Sequence, residues 1–414
     1  MIEFFAGVAT RNITPTLNGT PVFLAGSGND RRATGVDLPL MVRALAMRAD
    51  EQTAIIVAVD LIGLDYSDVE LVRAELAQRE IDPVGVIVTC THTHSAPDTL
   101  GLWGPDVATS GVDLHYLAHV RQAIVEAAAE ALAFVCPAQL RAATTYMPHA
   151  ILDTRAPQII DDEIVVLSFE KPDGEVIGTI LNFACHPAML DATSTLLSAD
   201  YTGAACAAVE AQIGGTALYI SGALSGVLAP ATAGRDRHEI GQAYAEAALA
   251  ALATAPLVDA EQLVVRRTTF TLPLENPRRA RAHAAELLRP RALADGALTT
   301  SCTLIDLGPV QILSIPGQPL PALGSVFKQL LPGPLRILAC SADDDLGYIL
   351  PDAVFVPPAD GQNPGRQYEA RMSIGATTGS RMLAAVRGLV GERMGAGWPA
   401  AEAAGYRGEA RCAG

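Results

Sequence analysis

Apolar runs of five to nine residues alternate with alanine-rich stretches of helical period almost from end to end of this chain. Ala54-Ile55-Ile56-Val57-Ala58-Val59 and Val86-Ile87-Val88-Thr89-Cys90 are continuous apolar runs of the kind that form buried strands. Between them Ser67, with Glu70 three residues on, has the spacing of a capping box and predicts a helix start. A second helix is predicted over roughly residues 113 to 133. Glu163–Phe169 and Glu175–Phe183 flank Lys171-Pro172-Asp173-Gly174, whose turn formers predict a hairpin, so the sheet is at least partly antiparallel. A helix from near Asp200 past Glu210 should stop at Gly214-Gly215. Strands are expected at Ala217–Ile220, Val310–Ile315 and Leu335–Cys340. The pattern predicts an α/β protein of mixed sheets flanked by helices. No internal repeat is visible, so one large domain over 1–390 is expected, with a Gly/Ala-rich tail at 391–414.

Composition narrows this picture without changing it. Half of the 414 residues are hydrophobic, enough for a sizeable core. No stretch reaches the about 18 uninterrupted apolar residues of a membrane helix. The net charge of −16 argues against nucleic-acid binding. Met1-Ile2-Glu3-Phe4-Phe5 has no basic segment followed by an apolar one, and the seven cysteines show no CxxC pairing. The expectation is a cytoplasmic protein with reduced thiols. One basic stretch, Arg266, Arg267, Arg278, Arg279, Arg281, Arg289 and Arg291, reads as a solvated helix, with a headgroup-binding patch as the alternative.

The chemistry concentrates at strand ends. Thr91-His92-Thr93-His94-Ser95-Ala96-Pro97 follows one apolar run directly, and His186 ends another in the same manner. Three of only eight histidines at sheet rims make a candidate metal site. On an extended segment His92 and His94 point to opposite sides, so both reach one ion only if the backbone bends. The simpler expectation is one ligand and one neighbour that moves a proton. Asp60 and Asp200 read as helix caps or as groups that orient the site. Asp343-Asp344-Asp345 reads as a solvated turn. Cys90 and Cys185, beside the key strand ends, are candidate thiol ligands or nucleophiles. The other five histidines read as structural, including His115 and His119 despite their i, i+4 spacing.

These segments together resemble the N-terminal catalytic domain of neutral (non-lysosomal) ceramidases and their shorter bacterial relatives. The likeness runs through Gly7-Val8-Ala9, Ile13-Thr14-Pro15, Asp37-Leu38-Pro39-Leu40 and Asp60 to the His-x-His heptad. It continues through Asn182-Phe183-Ala184-Cys185-His186-Pro187, Ser198-Ala199-Asp200-Tyr201-Thr202-Gly203, Gly347-Tyr348-Ile349 and Gln367-Tyr368-Glu369. The resemblance implies zinc held by His92, His186 and Tyr348, with His94 beside the metal-bound water. It implies active-site roles for Arg155, in Asp153-Thr154-Arg155-Ala156-Pro157, and for Tyr368 as an oxyanion donor. Hydrolysis of an amide or ester bond of a small substrate follows from it. Two segments depart from the family. Gln318, in Ile315-Pro316-Gly317-Gln318-Pro319, stands where relatives carry a glutamate ligand, and its uncharged amide oxygen should hold metal more weakly. Val227 and Ala229 replace an aspartate and a serine. Two other readings therefore stay open. One is metal-independent acid/base chemistry, such as cyclisation, isomerisation or lactone opening, on the same scaffold. The other is a binding protein without turnover.

Overall fold

The computed structural model describes residues 4–391 apart from 154–157, 191, 261 and 356–363. Arg155 and the tail from 392 therefore lie outside the described residues.

Three sheets are built on the same plan. In the first, β1 (Phe4–Asn12), β2 (Met41–Ala49) and β3 (Gln52–Val59) form an antiparallel meander. Helix α1 (Tyr66–Gln78) then crosses over to β4 (Val86–Cys90), which pairs parallel to β3, and α2 (Leu114–Ala133) follows. The second repeats this with β5 (Gln139–Tyr146), β6 (Glu163–Glu170), β7 (Val176–Phe183), α3 (Asp200–Ile213), parallel β8 (Thr216–Ser221) and α4 (Arg237–Leu252). The third does so with β9 (Val264–Pro273), β10 (Ala297–Leu307), β11 (Val310–Ser314), α5 (Pro321–Leu330), parallel β12 (Leu335–Ala339) and α6 (Thr378–Val390). The chain is thus a threefold structural repeat of βββαβα units, which corrects the expectation of no internal repeat. The units share an order of elements and not a residue pattern, so the repeat is invisible in sequence.

Packing explains why the central strands read as apolar. One face of each sheet turns inward to a common core in which Leu45 and Ile56, Val165 and Ile180, and Ile312 and Ile337 meet. The other faces are covered by α1 and α2, by α3 and α4, and by α5 and α6 respectively. Strands buried on both faces lose the period-two alternation of half-exposed ones.

Most predicted elements form where expected, with instructive shifts. The Lys171–Gly174 hairpin joins β6 to β7, with Gly174 at φ +92°. Helix α2 starts after Asp113, whose carboxylate caps it. Helix α1 starts earlier than the capping-box reading: Asp65 is the N-cap and accepts from the Ser67 amide at 2.8 Å. Glu70 instead reaches Arg73 and Arg267. The arginine stretch is neither a solvated helix nor a headgroup patch as a whole. Arg267 pairs with Glu70, Arg289 with Asp68, and Arg291 with Asp65 and Asp344, which clamps the third unit onto α1.

Candidate metal centre

Brought to one side of the molecule are the C-terminal ends of the three parallel strand pairs, the rim where open α/β sheets assemble their sites. From β3 comes the Ile62-Gly63 segment, from β4 the His-x-His, from β7 His186, and from β8 Ser221. Strand β11 leads to Gln318, and β12 to Ser341–Asp345 and Tyr348. Main-chain bonds tie these ends together. Cys90 N–H donates to Ser341 O (3.0 Å), Thr91 N–H to Val59 O (2.9 Å), and His94 N–H to Pro187 O (3.2 Å). The Ser221 hydroxyl donates to Thr91 O at 2.8 Å.

The backbone bends at His92, whose φ of +68° lies in the left-handed region. A non-glycine residue there costs on the order of 1 kcal/mol and persists only when its surroundings over-determine it. Here they do: His92 N–H donates to Leu61 O at 2.9 Å, and its Nδ1 lies 2.6 Å from Ile62 O. The bend overturns the geometric objection that His92 and His94 must face apart. The candidate donor atoms of His92, His94 and His186 all lie within 4.8 Å of one another, and the three rings meet edge to face with centroids 5.2–5.5 Å apart.

A tetrahedral zinc with N ligands at about 2.1 Å needs nitrogens about 3.4 Å apart, which small side-chain rotations supply from this arrangement. Donation of Nδ1–H to Ile62 O leaves the Nε2 lone pair of His92 facing the cluster, the usual way a ligand imidazole is oriented. Burial lowers the His92 pKa to about 4, so the ring is neutral and able to ligate. Burial lowers His94 well below its ordinary value as well, with His92, His186 and Arg31 adding to the effect. His92 and His186 are 4% exposed, whereas His94 is half-buried.

His94 is held from a quarter that sequence reasoning did not single out. Gly26, at φ +95°, packs so closely that a Cβ there would lie 2.5 Å from the His94 ring. The buried Arg31 guanidinium donates to His94 O and to Ala25 O, the latter at 2.6 Å. Asp200 is not a helix cap. Its carboxylate accepts from Met189 N–H (2.9 Å), Leu190 N–H (3.3 Å) and Tyr201 N–H (2.6 Å), and so pins the loop that leaves His186. Asp60 is structural, paired with Arg43 at 3.0 Å.

The acidic run is the largest correction at the site, for none of it is a solvated turn. Asp343 is fully buried and accepts from Arg73 (2.7 Å), Ser314 Oγ (2.7 Å) and Val88 N–H (3.1 Å). Asp344 meets Arg291 at 3.0 Å and Thr300 Oγ1 at 2.9 Å. Asp345 reaches the site itself: Oδ2 is 3.7 Å from His92 Nδ1, and Oδ1 accepts from Gln318 Nε2 at 3.2 Å. Burial raises the Asp345 carboxyl to about 6, against the opposing pull of the Gly347 amide and Arg279.

Gln318 is therefore linked to His92 through Asp345, and its buried Oε1 has no hydrogen-bond partner. That orphaned amide oxygen is an acceptor suited to a cation. Tyr348 is the strand partner of Gln318, and burial pushes its hydroxyl well up. Its ring lies 5.9 Å from that of Tyr368, which is 51% exposed. Neither Cys90 nor Cys185 joins the donor group, and burial raises both thiols far from the reactive range. Arg155 and the side chains of Val227 and Ala229 lie outside the described residues; the Val227–Pro230 backbone pairs with Ile151–Asp153. His115 and His119 are exposed on α2.

Among the described residues no helix is long and apolar enough to cross a membrane. No curated protein sequence matches the chain. Solved structures share its fold, two of them ceramidases. One is a ceramidase complexed with C2, at TM-score 0.77 and 15% identity over 94% of this chain and 75% of that one. The other is a neutral ceramidase from Pseudomonas aeruginosa, at TM-score 0.76 and 16% identity over 96% of this chain and 76% of that one. The N-terminal region of neutral/alkaline non-lysosomal ceramidases matches residues 4–255, which are the first two units with all three site histidines. On that match, the chain belongs to the neutral/alkaline non-lysosomal ceramidase family.

Proposed function

We propose that this protein is a metal-dependent hydrolase that cleaves an amide or ester bond of a small substrate with an activated water. The observation that carries the reading is the convergence of three imidazoles at the joined strand ends of two units. His92 and His186, the two deeply buried rings, are proposed as the nitrogen ligands. The Gln318 amide oxygen and the Tyr348 phenol are the proposed oxygen donors. A zinc ion bound there would polarise the scissile carbonyl and lower the pKa of water towards about 7.

His94 is proposed as the proton carrier, because it is the least buried of the three and so faces incoming water and substrate. A neutral imidazole accepts the water proton as the new C–O bond forms. It returns that proton to the leaving nitrogen as the C–N bond breaks. Gly26 and Arg31 fix His94 for this task, so its ring need not reorganise between the two transfers. Tyr368, exposed beside Tyr348, is proposed to donate to the developing oxyanion, and Arg155 to clamp the substrate.

The test is release of amine from short-chain N-acyl amides, with and without a strong chelator. The reading predicts activity that the chelator abolishes and zinc restores, and a His94→Ala variant that keeps its metal but loses kcat. Activity indifferent to the chelator would instead mark metal-independent chemistry on this scaffold. Ligand binding without turnover would mark a binding protein.

A further inference from the structure

Gln318 stands where relatives are expected to carry a carboxylate, yet a buried carboxylate is still present beside it. Asp345 comes from the adjacent loop after β12 and is 7% exposed. Its Oδ1 accepts from Gly347 N–H at 3.0 Å and from Gln318 Nε2 at 3.2 Å. Its Oδ2 lies 3.5 Å from the same Nε2 and 3.7 Å from His92 Nδ1. The space it occupies exists because residue 63 is glycine: a Cβ there would sit 2.3 Å from Asp345 Oδ2.

An ionised carboxylate only accepts hydrogen bonds, so it fixes which way the neighbouring amide faces. Nε2 of Gln318 turns towards Asp345, and Oε1 turns away, buried and without a partner. We propose that Asp345 is a positioning residue that supplies the negative charge missing at 318, orients His92 from behind, and turns the Gln318 carbonyl oxygen towards the metal. This rests on the metal reading above. The negative charge would then sit one residue behind the ligand oxygen and aim it.

If positions 318 and 345 share one charge, transposing it should be tolerated and deleting it should not. The experiment measures zinc affinity by competition with a chromogenic chelator, together with thermal unfolding of the metal-free proteins as a check on folding. Asp345→Asn keeps the shape and removes the charge, and should weaken zinc binding about 10- to 100-fold, the usual cost of losing a carboxylate behind a ligand. Adding Gln318→Glu to Asp345→Asn restores the charge and should bring affinity back to within about threefold of wild type. A role confined to the Gly347 turn would not be rescued from position 318. Wild type that takes up no zinc would overturn the metal reading and this inference with it. Wild type that binds zinc, with Asp345→Asn binding equally well or the double variant no better than the single, would overturn the inference alone.

Discussion

Replacing Gly63 by alanine tests whether the Ile62-Gly63 segment and Asp345 act as one rigid support for His92. The added Cβ would lie 2.3 Å from Asp345 Oδ2 and 2.6 Å from Asp345 Cβ. Carbon–carbon contacts relax only near 3.5 Å, so one segment must retreat by about 1 Å. Rotating the carboxylate is not enough, because Asp345 Cβ is itself in the way. If the Asp345 loop gives, the Gln318 and Gly347 bonds at 3.2 and 3.0 Å stretch. If residues 62 and 63 give, the 2.6 Å contact of His92 with Ile62 O and the 2.5 Å bond from Thr99 Oγ1 to Gly63 O are lost. Overpacking of this kind costs about 1–3 kcal/mol, reduced by about 0.5 kcal/mol from the lower entropy of the unfolded chain. At roughly 2 cal/mol/K per residue of unfolding entropy, the melting temperature should fall by about 1–3 °C. Gly388→Ala, on the exposed face of α6 where a Cβ meets nothing within 4 Å, should shift it upward. Scanning calorimetry and the chelator competition read both effects, and zinc binding by Gly63→Ala should weaken about tenfold or more. A Gly63→Ala protein with wild-type melting temperature and wild-type zinc affinity would refute the reasoning.

Other outcomes follow from the same contacts. In metal-free protein, the buried Asp345 carboxyl titrates near 6, above its ordinary value, so its contribution to stability is present below about pH 4 and lost as pH rises through about 6. The melting temperature of Asp345→Asn relative to wild type should accordingly be higher at pH 7.5 than at pH 5, and a pH-independent difference would contradict this. Asp200→Ala leaves two loop amides and the Tyr201 amide without their acceptor; a loss of about 1–3 kcal/mol in urea unfolding is expected, with weaker zinc binding through the loosened His186 loop. Cys90 and Cys185 should resist a thiol reagent until the protein unfolds, and Cys185→Ala should retain its zinc.

Most strands and helices could be read from the sequence because a strand buried on both faces is a short apolar run whatever its neighbours are. The three histidines were legible for a related reason: each follows such a run directly. What escaped depends on partners distant in the chain. Asp343-Asp344-Asp345 reads as a solvated turn until Arg73, from the first unit, and Arg291, far back along the third, arrive to neutralise it. The bend at His92 is set by Leu61 and Ile62 in the segment that leaves the neighbouring strand, and nothing in Thr-His-Thr-His announces it. Gly26 and Gly63 matter through what they let approach, His94 and Asp345 respectively, and a glycine does not name its neighbour. The threefold repeat escaped because it is a repetition of element order around one core, filled by different apolar residues in each unit.

The central claim is that His92 and His186 hold one metal ion, and elemental analysis of untagged protein after zinc loading and desalting tests it most directly. The account predicts close to one equivalent of zinc in wild type and in His94→Ala, and almost none in His92→Ala or His186→Ala. Wild-type protein that retains less than about a tenth of an equivalent, where tight structural or catalytic sites retain nearly all, would contradict it.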